Sequence, residues 1–138
     1  MVSVKGDSKV FDKQNKELEM IRMEGMYEIS QLEPQGKYNI REPPVKAGES
    51  CFDHNGLDMI VLPGMGFTAN CERIGHGKGF YDCFVTKHMA WSAKHGYPKP
   101  FLVAVGAEQQ LVTDLPVEKH DRVLDAVIID DQLFRHVD

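Results

Sequence analysis

Cysteine is scarce and unpaired in this sequence. Cys51, Cys71 and Cys83 make an odd number, and no two of them form a CxxC pair. A disulfide framework is therefore not expected, and a reducing cytoplasm is the expected setting. Long hydrophobic runs are lacking as well. No stretch approaches the roughly 20 apolar residues of a membrane helix, and the opening MVSVKGDSKVFDKQNKELEM holds no apolar core of a secretory leader. Basic charge is not in excess either: 16 Lys and Arg stand against 21 Asp and Glu, for a net charge of −5. That balance argues against an extended nucleic-acid surface, yet leaves room for a local positive pocket that holds a small anion. Neither nucleic acid nor a membrane is expected as a partner, and a monomer is expected. No internal repeat or low-complexity tract is present.

What is there suits one domain. With 138 residues, 42% apolar and 27% charged, the chain is long enough to bury a core. Its first thirty or so residues carry little periodicity. "KVF" (9–11) reads as a strand remnant, and "LEMIRM" (18–23) alternates like a half-buried strand. Proline and glycine then accumulate from Leu32 to Gly56, which reads as a long surface connection, partly extended around Tyr38 to Pro43. From there the pattern sharpens. "LDMIVLPG" (57–64) suits a buried strand of a parallel sheet, closed by Pro-Gly. "TANCE" (68–72) is a polar turn. Phe80 to Lys94 places Phe80, Tyr81, Phe84, Val85, Met89 and Trp91 at helical spacings, and His95, Gly96 and Pro98 stop the helix. "FLVAVG" (101–106) and "DAVIID" (125–130) are two further buried strands. Strand, glycine loop, helix and strand make a βαβ unit. The fold class is accordingly α/β, a single domain with a largely parallel sheet flanked by helices.

The glycine loop "RIGHGKGFYD" (73–82) is the chemically distinctive stretch. Gly75, Gly77 and Gly79 alternate with His76 and Lys78 just before the helix. Glycine permits positive φ, so backbone N–H groups can turn towards one point, and the helix start adds unsatisfied donors and a positive dipole end. Arg73 supplies a forked cation and Lys78 a point charge. These features favour phosphate oxygens, but they also fit a glycine-rich turn with no ligand. The stretch is not a P-loop, because Gly rather than Ser or Thr follows Lys78, and it lacks the dinucleotide spacing. Asp82 in the first helical turn has two readings of equal standing. A carboxylate there is favoured by the dipole alone. Beside a phosphate it would instead need a divalent cation between them, and Mg²⁺ takes one or two carboxylates plus phosphate oxygens.

Three segments, "LDMIVLPGMGF", "RIGHGKGFYD" and "DRVLDAVI", resemble the 5-formyltetrahydrofolate cyclo-ligase family, also called methenyltetrahydrofolate synthetase. "LEMIRMEGMYEISQLEPQGKYNIREP" resembles that family's preceding segment, so the likeness covers most of residues 9–130. The resemblance implies an α/β fold and an ATP-driven reaction that requires Mg²⁺. ATP phosphorylates the formyl oxygen of 5-formyltetrahydrofolate, N10 attacks the activated carbon, and phosphate leaves to give 5,10-methenyltetrahydrofolate. The protein's task would be positioning and charge neutralisation. By position, the resemblance assigns Arg73, Ile74, Gly75, His76, Gly77, Lys78, Gly79, Phe80 and Tyr81 to ATP. It assigns His76 to Phe80 also to the folate, Arg73 and Lys78 to catalysis, and Asp82 and Asp125 to the metal. His76 and Phe80 stand where the family often has Arg or Tyr; imidazole can still donate to phosphate, and Phe can still stack on a pterin. Family members carry a longer N-terminal portion with a basic helix that grips ATP and a strand region that holds the folate. The expectation is a truncated isoform, paralogue or fragment. A non-catalytic folate- or nucleotide-binding module, or an inactive isoform, is the alternative to the enzyme.

Other chemistry-bearing residues have plainer readings. His88 and His95 read as partly exposed helix residues, and Trp91 as core packing. Cys51–His54 and Cys71–His76 make no recognised four-ligand zinc spacing. Tyr38 suits either a ligand border or packing on the sheet. The closing "DDQLFRHVD" (130–138) reads as a solvated tail.

Overall fold

The structure, a computed structural model, describes residues 2–5, 18–35, 39–43, 49–75, 79–114 and 122–137. The expected strand at 9–11, Tyr38, and the loop residues His76, Gly77 and Lys78 lie outside the described residues. The chain divides into two compact units, 1–56 and 57–138.

In the first unit β1 (Val2–Lys5) pairs antiparallel with β2 (Leu18–Ile21). Leu18, Met20 and Ile21 of β2 are buried, as the alternation of "LEMIRM" predicts. A short helix α1 (Met26–Ser30) follows. The described residues of the proline- and glycine-rich connection include regular structure. They hold a small ladder of β3 (Pro34–Gln35) on β4 (Ile40–Arg41) and a single 3₁₀ turn, Cys51–Asp53, capped by Ser50. Cys51 in that turn is fully buried.

In the second unit β5 (Met59–Leu62), β8 (Phe101–Gly106) and β9 (Ala126–Ile129) run parallel, with β8 in the middle and β5 at an edge of the sheet. Between β5 and β8 the chain makes a hairpin, β6 (Gly66–Phe67) on β7 (Arg73–Ile74), and then helix α2 (Phe80–His95). The sheet class and the βαβ order are those expected from sequence. The last strand is not: β10 (Gln132–Arg135) pairs antiparallel with β9, where a solvated tail is expected. Its residues hid it. Gln132, Leu133 and Arg135 are exposed, so no apolar alternation marks a strand, and the pairing comes from a tight turn in which Asp130 takes φ 51.

The parallel register decides where the core lies. Ile60 pairs with Leu102, Leu62 with Ala104, and Ala104 with Val127, so all of these share one face, and each is at most 2% exposed. Burying each larger side chain contributes about 1.5–3 kcal/mol. The opposite face is only partly covered, with Met59, Val61 and Val105 each more than half exposed. The expectation of a wholly buried β5 is therefore corrected: β5 alternates like a half-buried strand, because its second face is largely uncovered, as the exposure of Val105 on the interior strand β8 also shows.

Helix α2 ends where the sequence predicts. Gly96 takes φ 75, and the Tyr97 N–H closes back on Ser92 O at 2.9 Å. Its buried seam is Phe84, Val85, His88 and Ser92. Trp91, expected in the core, is only half-buried and stacks on His95 and Tyr97. His88, expected to be partly exposed, is 1% exposed. It can be buried because both ring nitrogens find partners. Leu57 N–H donates to Nε2 at 3.0 Å, and Nδ1 lies 3.2 Å from Ser92 Oγ.

Candidate functional site at the start of helix α2

The site begins with Pro63. Its ring ends strand pairing after Leu62, so the chain leaves the carboxyl end of β5 as a bend whose carbonyls need partners. The Arg73 side chain supplies one: its Nε–H donates to Pro63 O at 2.5 Å. Arg73 is 5% exposed, an expensive place for a charge without compensation. Compensation comes from Asp82 in the first turn of α2, whose Oδ2 lies 3.5 Å from Arg73 Nη1, and from the Tyr81 ring, 5.6 Å below the guanidinium carbon. One arginine thus ties the end of β5, its own strand β7 and the start of α2 into a single corner.

Two glycines shape that corner. At Gly75 an added Cβ would come within 3.1 Å of Arg73 Nη2, so the backbone lies against the guanidinium where a side chain would crowd it. Gly79, the residue before α2, takes φ 70, a left-handed conformation that costs other residues about 1–2 kcal/mol. The helix start therefore opens from a backbone that only glycine adopts cheaply, with the positive dipole end of α2 beside it. Arg73, Ile74, Gly75, Gly79, Phe80, Tyr81 and Asp82 are brought together at this corner. It lies past the carboxyl end of a parallel strand, the usual position of ligand crevices in open α/β sheets.

Asp125 takes a different place. It immediately precedes β9, and its Oδ2 accepts the N–H of Leu102, the second residue of β8, at 2.7 Å. Asp82 thus lies beyond the carboxyl end of the parallel strands and Asp125 at their amino end. The expectation of one cation shared by the two acids gains no support from that placement. Among the described residues no group of three or more His, Cys, Asp and Glu is placed to hold a metal. A magnesium ion that keeps waters and phosphate oxygens needs only one or two carboxylates, which Asp82 can supply.

Sequence reading missed two supports of the corner. Phe67, fully buried, lies between Gly64 and Gly106, where a Cβ on either glycine would meet its ring at 2.8 Å. Gln110 reaches across from the segment after β8 to Gly64 O at 2.8 Å. Nothing local marks Gln110, since it sits in a polar run of ordinary composition. Cys71, in the hairpin turn, is also accounted for. Burial first, and the nearby Asp125 second, push its thiol pKa up, and the thiol donates to Phe134 O at 3.5 Å. It is an inert packing thiol.

Comparison with known proteins bears on the family and the fold. The model of the 5-formyltetrahydrofolate cyclo-ligase family matches residues 8–130. The 5-formyltetrahydrofolate cyclo-ligase of Mus musculus is 33% identical over 119 residues, which are 86% of this chain and 56% of that protein. The cyclo-ligase of Saccharomyces cerevisiae is 33% identical over 111 residues, 80% of this chain and 49% of its own length. The chain therefore spans about half the length of these curated relatives. The NMR structure of Aquifex aeolicus 5,10-methenyltetrahydrofolate synthetase superposes with a TM-score of 0.62 at 25% identity, covering 91% of this chain and 56% of that one. The family match takes in the whole Arg73–Asp82 corner and the strands that carry it. On those grounds the chain belongs to the 5-formyltetrahydrofolate cyclo-ligase family.

Proposed function

We infer that this chain performs, or supplies the nucleotide-binding half of, the ATP-dependent conversion of 5-formyltetrahydrofolate to 5,10-methenyltetrahydrofolate. The observation that carries the reading is the Arg73–Gly75–Gly79–Asp82 corner: a buried cation, a close backbone and a helix start converge past a strand end. Such a corner suits a nucleotide's terminal phosphates, whose charge the amide donors and Arg73 would offset. Lys78, His76 and Gly77 belong to the same reading by position in the loop sequence, and the charge of Lys78 would offset that of the transferring phosphate. A formyl oxygen is a poor leaving group until phosphorylated, so positioning the phosphate beside it is the main service a protein can render. Phe80 would offer an aromatic face to the pterin. A magnesium ion accompanying the nucleotide would draw on Asp82 and supply further neutralisation of phosphate charge.

The test is the appearance of methenyltetrahydrofolate absorbance from 5-formyltetrahydrofolate, with and without ATP and Mg²⁺. Product that depends on both supports the enzyme. A second reading, a binding module without turnover, is favoured by the commitment of the Arg73 guanidinium to Pro63 and Asp82, which suits an organising role. Binding of 5-formyltetrahydrofolate or Mg-ATP by calorimetry with no product would establish that module instead. Failure of both assays would remove the assignment.

A further inference from the structure

We propose that Gln110 is a positioning residue of this site: it holds the Pro63–Gly64 bend and, through it, the Arg73 side chain. The inference deepens the reading above and rests on it for its meaning in catalysis. The geometry is a relay of hydrogen bonds. Gln110 Oε1 accepts the N–H of Ala107 at 2.8 Å, and Gln110 Nε2 donates to Gly64 O at 2.8 Å. The amide orientation is forced, because a backbone N–H can only donate and a carbonyl can only accept. Pro63 O, one peptide away, accepts from Arg73 Nε.

Space is arranged for the same purpose. A Cβ on Gly106 would come within 2.9 Å of Gln110 Oε1 and 2.8 Å of the Phe67 ring, so the end of β8 stays bare to let the amide pass. Phe67 is held in turn by Val112 N–H, which donates to its carbonyl at 2.9 Å. The carboxyl ends of β5 and β8 are thereby clamped at the corner where Arg73 meets Asp82. A residue needing both a donor and an acceptor at this reach must be Gln. Glutamate loses the donor, methionine loses both, and asparagine is one methylene short.

The measurement is the ¹H–¹⁵N resonance of Arg73 Nε–H in the full 138-residue chain, assigned by its loss in Arg73→Lys. In the unsubstituted chain this proton and the Gln110 side-chain amide should exchange with water at least about tenfold more slowly than free side chains. Fast exchange of either overturns the inference without any variant. In Gln110→Met the Arg73 resonance should move towards its free position and lose that protection. An unchanged resonance in a folded variant overturns it. Gln110→Glu keeps the acceptor for Ala107 and decides the matter if the Met variant does not fold. Mg-ATP affinity by calorimetry is the second arm. A loss of about tenfold in Gln110→Met, absent when Arg73 is already Lys, is expected of a residue acting through Arg73. Equal losses in both backgrounds overturn it. If the unsubstituted chain binds no Mg-ATP, the proposed function falls, and the Arg73 resonance still decides the role of Gln110.

Discussion

Arg73 shows why a charge can be buried at the edge of a small core. Its Nε–H reaches a carbonyl that a proline bend leaves open, and Asp82 offsets its charge. Removing it strands both partners. Arg73→Met should therefore destabilise the chain by about 2–4 kcal/mol in urea unfolding, while Arg73→Lys, which keeps charge without the fork, should recover part of that loss. Asp82→Ala should weaken Mg-ATP binding well beyond its effect on metal-free ATP; equal losses would remove Asp82 from the metal. His88 carries a pH dependence. Burial lowers its pKa from the ordinary value near about 6.5. The unfolded chain then binds the proton more readily than the folded one, so this contribution is present above the ordinary value and is lost as pH falls through it. Stability should fall as the pH drops below about 6.5, and His88→Asn should flatten that slope even as it lowers stability throughout.

Among the elements, α2 was the most legible and its seam the least. Its length, its glycine stop and its inward Phe84 and Val85 follow from period and composition. Its buried His88 and Ser92 do not, because their burial depends on Leu57, far away in the chain, donating to the imidazole. Gly96 at the end of α2 and Gly106 at the end of β8 separate strain from crowding. Gly96→Ala meets no atom within 4 Å, so its cost should be the backbone strain alone, about 1–2 kcal/mol. Gly106→Ala, at ordinary backbone angles but against the Phe67 ring and Gln110, should cost more and should disturb ligand binding as well. Thermal melts of the two variants beside a nucleotide titration distinguish these costs. The hairpin β6–β7 and strand β10 escaped sequence reading for a common reason. Two-residue strands are too short for periodicity, and an exposed edge strand such as β10 has no buried face to produce it.

For the whole molecule, register is the deciding quantity. It puts Ile60, Leu62, Leu102, Ala104 and Val127 on one covered face, and Met59, Val61 and Val105 on the open one. Ile60→Ala should cost about 2–5 kcal/mol. Val61→Thr, one residue along the same strand, should change stability by no more than about 0.5 kcal/mol. Urea midpoints of the two variants check this directly, and similar losses in both would mean the open face is covered in solution.

The order and kind of β5, α2, β8 and β9 were determined by the sequence itself. Apolar period, proline and glycine act within a few residues, and the loop that carries the family likeness is one continuous stretch. The tertiary structure alone decided which strand face is buried, that Arg73 turns inward onto Pro63 and Asp82, that Asp125 stands at the other end of the strands, and that Gln110 reaches Gly64. Each of these joins groups distant along the chain. The free energy of such contacts depends on where the backbone brings them, which no local pattern of residues encodes.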